Sequence, residues 1–377
     1  MRLPIAALTL AALTGLGCGP QPEHARSWRN PQQAPAPSAS HPTAFTGTAQ
    51  PDEDPTAALK ARTYVTVASG DLVHAGTTAG VVSWSFEQPS RPHELATLVL
   101  PGSVSGLTLF GPSQSMLAVS TGPTGLVLVD TSNVARGRLH KLSDAPWRAS
   151  DRAGCHAAWN LRMFAERRAF VACGTGGIAE VDLSDTARPR VTRSLPVDGY
   201  VRDLAVLDAK AGISAGKASS RKLIAAAGHG GVVVAEFPEA GQPKLLAHLP
   251  SSGARALEVR AGLAYLADGA GGLRTVDVHD PAHPVELGRF DPHTVDLARG
   301  LAVRETTVFL CLGDSGLMSV DVSNPASPRK LAALDPLRAI NRATLRDAWL
   351  FASNDAAGIL LLDVSHPDSL KTLFPSP

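Results

Sequence analysis

Gly316-Leu317-Met318-Ser319-Val320-Asp321 is a short run of mostly aliphatic residues opened by a glycine and closed by an acid, and the chain repeats that unit seven times. The other copies are Gly80–Ser85, Gly125–Asp130, Gly177–Asp182, Gly231–Glu236, Gly272–Asp277 and Gly358–Asp363, and the leading glycines stand 45, 52, 54, 41, 44 and 42 residues apart. A length of 377 residues alone suggests about two ordinary domains. A unit recurring at near-constant period overrides that expectation, because self-similarity marks a repeat architecture.

One period can be read in full between Ala254 and Asp291. Arg255–Val259, Leu263–Ala267, Leu273–Val278 and Val285–Phe290 read as four short strands, joined by Arg260-Ala261-Gly262, Asp268-Gly269-Ala270-Gly271-Gly272 and Asp280-Pro281-Ala282-His283-Pro284. Four antiparallel strands per period make a propeller blade. The third strand is apolar at nearly every position, as a strand buried on both faces between neighbouring blades must be, whereas a half-wet sandwich strand would alternate. The expected fold is therefore all-β, a seven-bladed β-propeller of four-stranded antiparallel blades over residues 61–377. Tyr64–Ala68 supplies the first copy with its own first strand and Ser369–Phe374 ends the last copy. The ring is thus expected to close by packing of blade one on blade seven, with no strand shared.

The turn residues have physical roles of their own. A second glycine stands three before the leading one in five copies, at Gly122, Gly174, Gly228, Gly269 and Gly313, which predicts a turn needing positive φ and close backbone approach. The acid closing the third strand is followed by serine and proline, as in Asp321-Val322-Ser323-Asn324-Pro325, the chemistry of an Asx turn. Asp130, Asp182, Asp277, Asp321 and Asp363 are accordingly expected to be structural.

These repeats resemble the LVIVD-repeat family: Leu126-Val127-Leu128-Val129-Asp130 nearly spells its name, and Gly316 to Pro328 is similar to the full repeat. The resemblance extends over residues 61 to about 374, strongest in copies five to seven and weakest in the first, where Ser85 replaces the acid. It implies a propeller-like fold in a cell-surface or exported protein, and it supplies no catalytic residues.

The N-terminal region points the same way. Met1-Arg2, the apolar run Ile5–Leu16 and the small-residue site Gly15-Leu16-Gly17-Cys18 form a secretory signal over residues 1–17. Cys18 stands where lipoprotein signals carry the lipidated cysteine, although Gly15 and Leu16 depart from the residues that lipobox favours. Gly19 follows in place of the aspartate that marks inner-membrane retention, so the resemblance implies an outer-membrane lipoprotein held to the membrane by a lipid anchor only, and otherwise a secreted or periplasmic protein. Residues 18–60, rich in proline and without periodicity, read as a tether. The net charge of +1 and 18% charged residues exclude a strongly basic nucleic-acid binder.

Chemistry is sparse. Gly313-Asp314-Ser315-Gly316 has the look of a serine-protease nucleophile segment, yet it occupies the same repeat turn as Gly269-Ala270-Gly271-Gly272, and no matching His and Asp accompany it. The twelve histidines lack zinc spacing, so neither metal nor other cofactor is expected. What remains is the channel mouth, where Asn160, Arg202, Arg255, Arg299 and Asn341 or Arg342 precede or open first strands, with His229, Asp268, Asp314 and Asn354 on turns nearby. Converging guanidinium groups favour an anionic or carbonyl-bearing ligand. The competing reading pairs Arg202 with Asp203 and Arg299 with Asp296, which leaves no charge for a ligand. The expected function is a non-catalytic, monomeric cell-envelope binding or scaffold module for a protein, peptide or glycan. The alternative is an exported lactonase-like hydrolase with a site in the channel, but the expected axial positions hold mostly Arg, Gly and Ala in place of several acids or His. Export permits disulfides, and antiparallel pairing near Glu166 and Arg167 brings Cys155 towards Cys173, while Cys311 falls inside an apolar strand as a buried thiol.

Overall fold

A computed structural model describes residues 62–143, 154–155, 157–207, 220–334, 339–355 and 358–374. Cys18, the signal and the tether lie outside the described residues. Seven four-stranded antiparallel sheets follow one another along the chain, and each keeps its four strands in sequence order. Blade five has its strands at Ala256–Arg260, Leu263–Ala267, Leu273–Asp277 and Val285–Phe290. This matches the sequence reading to within a residue at each boundary.

Burial falls from the inner strands to the outer one. The third strands are buried at nearly every position: Gly80–Ser85 throughout, and Leu126–Asp130, Ile178–Asp182 and Leu317–Asp321 except at the closing acid. Outer strands such as Val285–Phe290 and Arg329–Leu334 are exposed or half-buried along their length. The cores lie between blades. Phe170, Ala172 and Ile178 of blade three pack with Leu204, Leu223, Val233 and Phe237 of blade four. Phe170 meets Phe237 edge-on at 4.8 Å. Burying both faces of every middle strand explains why the third strands are aliphatic without alternation.

Each closing aspartate caps the turn that follows it. Asp130, Asp182, Asp277, Asp321 and Asp363 accept the backbone N–H two residues on, at 2.8, 2.8, 2.9, 2.8 and 2.9 Å. Hydrogen bonds from the side chain as well as the backbone N–H of that residue hold the carboxyls of Asp182, Asp277, Asp321 and Asp363 below their ordinary pKa.

The ring closes without exchange of strands between the chain ends. Blade one is built from Thr63 to Val99 and blade seven from Ile340 to Phe374. Phe86 and Phe351 meet edge-on at 4.9 Å across the junction. Thr344 Oγ1 donates to the carbonyl of Thr66 at 2.7 Å, and Ser353 Oγ to that of Tyr64 at 3.1 Å. An Arg346–Asp71 ion pair at 2.7 Å lies at the same junction.

In blade three Cys155 and Cys173 are joined as a disulfide, with Cα atoms 5.0 Å apart. Cys311 is a fully buried thiol, its pKa pushed up to about 12 by burial.

Candidate functional site

The glycine turns position the channel mouth. In blades two to six the turn between second and third strands places a glycine at φ 57° to 60°, and that glycine forms a single β-bridge to the segment leading into the next blade. The bridges are Gly122–Ala158, Gly174–Val201, Gly228–Ala254, Gly269–Ala298 and Gly313–Ile340. The residue after each bridged position is thereby fixed at the rim: Trp159, Arg202, Arg255, Arg299 and Asn341. Tyr64 and Ser105 complete the series from blades one and two, so each of the seven blades contributes at least one residue to a cavity of about 740 Å³.

The rim is chemically lopsided. Blades four, five and six supply Arg202, Arg255 and Arg299, while blades one to three supply Tyr64, Ser105 and Trp159. Two of the three guanidinium groups are held in place. That of Arg202 lies over the Tyr200 ring, 4.8 Å from its centroid, and Tyr200 packs edge-on against Trp159 at 5.4 Å. Arg299 Nη1 donates to Asn341 Oδ1 at 2.8 Å, and Asn341 Nδ2 donates to Asp355 at 2.7 Å. Arg255 stands between them with no carboxylate partner among the described residues. Its burial, and then the like charges of Arg202 and Arg299, push its pKa below the ordinary arginine value.

The pairing of Arg202 with Asp203, or of Arg299 with Asp296, is not what the structure contains. Asp203 begins a strand and turns away from the rim, and Asp296 accepts Ser315 Oγ at 2.6 Å while Arg299 reaches Asn341.

Beneath the rim lies a second tier, lining a smaller cavity of about 340 Å³. Asp203, 2% exposed, is its hub. It accepts Asn160 Nδ2 at 2.6 Å, Arg162 Nη2 at 3.2 Å and the backbone N–H of Leu257 at 3.3 Å, and Arg342 Nη1 of blade seven comes within 3.6 Å. Groups from blades three, five and seven thus converge on one carboxylate of blade four inside the channel.

The structure therefore divides the sequence-selected residues. Arg202, Arg255, Arg299 and Asn341 meet at the rim, and Arg342 lines both cavities. Asn160 sits one tier lower than expected, because the bridge at Ala158 puts Trp159 at the rim position. His229 and Asp314 are exposed on their turns and do not line the cavity. Asp268 does not face a ligand either: it is fully buried in blade five, paired with Arg274 at 3.3 Å and hydrogen-bonded by Ser251. Asn354 is likewise buried. Tyr64, Ser105, Trp159, Arg162 and Asp203 were missed as site residues, although for Trp159 the shared offset from the glycine turn was a usable signal. Among the described residues no group of three or more His, Cys, Asp or Glu converges in a way that could hold a metal ion.

Comparison with known proteins bears on the fold. The LVIVD repeat family matches residues 253–292 and 297–332, which are blade five and most of blade six. No curated protein matches the chain. Among solved structures, the β-propeller domain of Cps50 (Swd1) from Myceliophteria thermophila is similar at 13% identity and a TM-score of 0.61, over 81% of this chain and 98% of that one. Sqt1 of Saccharomyces cerevisiae is similar at 11% identity and a TM-score of 0.60, over 83% of this chain and 84% of that one. PorZ of Porphyromonas gingivalis, described as a bacterial surface component of the type-IX secretion system, aligns at 14% identity and a TM-score of 0.54, over 83% of this chain and 38% of that one. At such identities the likeness concerns the fold alone. The chain carries LVIVD repeats in a seven-bladed β-propeller.

Proposed function

We propose that the protein is a non-catalytic binding or scaffold module of the cell envelope, anchored through Cys18, whose rim receives part of a protein, peptide or glycan partner. One observation carries this reading: all seven blades line one cavity, and Arg255 on its rim stands beside Arg202 and Arg299 with no acid as partner among the described residues. Buried like charges are costly unless something of opposite sign joins them, and binding sites are where such arrangements persist. A rim of Arg, Asn, Ser, Tyr and Trp is suited to recognition by hydrogen bonding and stacking. A hydrolase of the lactonase-like kind would instead gather free acids or histidines around a metal at the axis, whereas the channel carboxylates are engaged, Asp203 by Asn160 and Arg162 and Glu258 by Arg260 and the N–H of Val303. PorZ, a surface component by its description, indicates that a propeller can serve at a bacterial surface.

Two measurements test the reading. A photo-crosslinking residue at Ser103, on the rim, should capture an envelope partner in cells, whereas the same residue at Glu305, on an opposite-face turn, should not. Equal capture from both positions would refute the rim as the binding face. Labelling with a palmitate analogue should mark the wild type and not Cys18→Ser, and equal labelling would remove the lipid anchor.

A further inference from the structure

The two halves of the rim differ in hydrogen-bonding sense as well as in charge. Arg202, Arg255 and Arg299 present only donors. On the opposite side Trp159 keeps a buried Nε1–H with no partner among the described residues, while the hydroxyl protons of Ser105 and Thr124 are already committed. Ser105 Oγ donates to the carbonyls of Ser120 and Ala158 at 3.1 and 3.0 Å. Thr124 Oγ1 donates to those of Thr121 and Pro101 at 2.8 and 2.9 Å. What these oxygens still offer is lone pairs, and Tyr64 on the same side offers a ring. A group that fits therefore carries an oxyanion at one end and, on a compact body at the other, hydroxyls that donate to Ser105 and Thr124 and accept from Trp159. A cavity of about 740 Å³ has the volume of an ordinary small-ligand site.

We infer that the rim binds an acidic sugar, its carboxylate or phosphate on Arg202, Arg255 and Arg299 and its ring hydroxyls towards Ser105 and Thr124. This rests on the reading of the rim as the binding face. A guanidinium fork matches either oxyanion in two parallel hydrogen bonds, and Arg255 gains the counter-charge that no described side chain supplies. A saccharide ring lies flat on an aromatic face while its edge hydroxyls donate to acceptors. A neutral sugar leaves three cations unanswered, and a bare inorganic anion leaves the acceptor side unused.

Calorimetric titration of the full-length protein with five compounds decides the matter: glucuronate, glucose 6-phosphate, glucose, inorganic phosphate and trialanine. Glucuronate or glucose 6-phosphate should bind at least about tenfold more tightly than glucose and than inorganic phosphate, and which of the two binds identifies the acid. Arg255→Gln should weaken that binding at least about tenfold with an unchanged circular dichroism spectrum, and Arg255→Lys, which keeps the charge and loses the fork, should fall between. Equal binding of glucose, equal binding of inorganic phosphate, or binding of trialanine alone would each overturn the inference. Should neither acidic sugar bind at millimolar concentration while Ser103 still crosslinks to an envelope partner, the ligand class is wrong and the binding face stands.

Discussion

His74 is a buried imidazole in the second strand of blade one, hydrogen-bonded to Ser83 Oγ at 2.8 Å. Burial lowers its pKa from 6.5 to about 4. Because the folded value lies below the unfolded one, the stability this residue contributes is present above pH 6.5 and is lost as pH falls towards 4. The linkage relation puts the loss at about 2 kcal/mol by pH 5. Chemical denaturation of the wild type at pH 7 and pH 5 should differ by about that amount, and His74→Gln should remove most of the difference. An unchanged pH dependence in the variant would place the titrating group elsewhere. The disulfide makes a second residue-scale prediction. With its cysteines 18 positions apart in the chain, it should contribute about 3 kcal/mol in the chain-entropy description. Reductant should lower the melting temperature of the wild type and leave that of a Cys155→Ser, Cys173→Ser double variant unmoved.

At the scale of the element, the repeat turn explains why the glycines recur. Gly177 has φ 80°, and a Cβ there would lie 2.2 Å from the carbonyl oxygen of Leu195 in the neighbouring strand. Gly122 has φ 58° but open space around it. Alanine at the two positions separates backbone strain from collision. Gly122→Ala should cost about 1 kcal/mol, the price of a left-handed conformation alone, whereas Gly177→Ala should cost about 3 kcal/mol or more because the backbone of the outer strand must move. Equal effects in denaturant titrations would contradict this account. The same turns bridge each blade to the next, so their geometry reaches the rim: the bridge from Gly228 to Ala254 sets the position of Arg255.

For the whole molecule, the junction between first and last blades decides whether the ring holds. It combines an apolar cluster containing Trp84, Phe86, Phe351 and Leu361 with hydroxyl-to-carbonyl hydrogen bonds from Thr344 and Ser353. Stacked repeats depend on their neighbours for stability, and here the end blades also cover each other. Phe351→Ala should destabilise the protein by about 3 to 5 kcal/mol, since the ring is fully buried against Phe86. Hydrogen exchange in that variant should quicken most in Thr63–Ser69 and Ile340–Arg346, the facing first strands of blades one and seven, and least in blade four. Uniform acceleration would mean that opening does not begin at the junction.

The blades, the buried third strands, the Asx turns and the blade count were legible in the sequence, because each follows from residues close together in the chain. Period and glycine spacing specify a strand and its turn, and an aliphatic run without alternation reports two covered faces. Arg202, Arg255 and Arg299 were legible as a group for the same reason, standing at one offset from the repeat. The tertiary structure decided what those residues face. Asn160 was placed at the rim and lies a tier below it, since the bridge that sets the register of blade three belongs to Gly122 of blade two. Asp203 follows Arg202 in the chain yet points into the channel, where Arg342 reaches it from blade seven. Successive residues of a strand point in opposite directions, and only closure of the ring brings blades four and seven to a common axis.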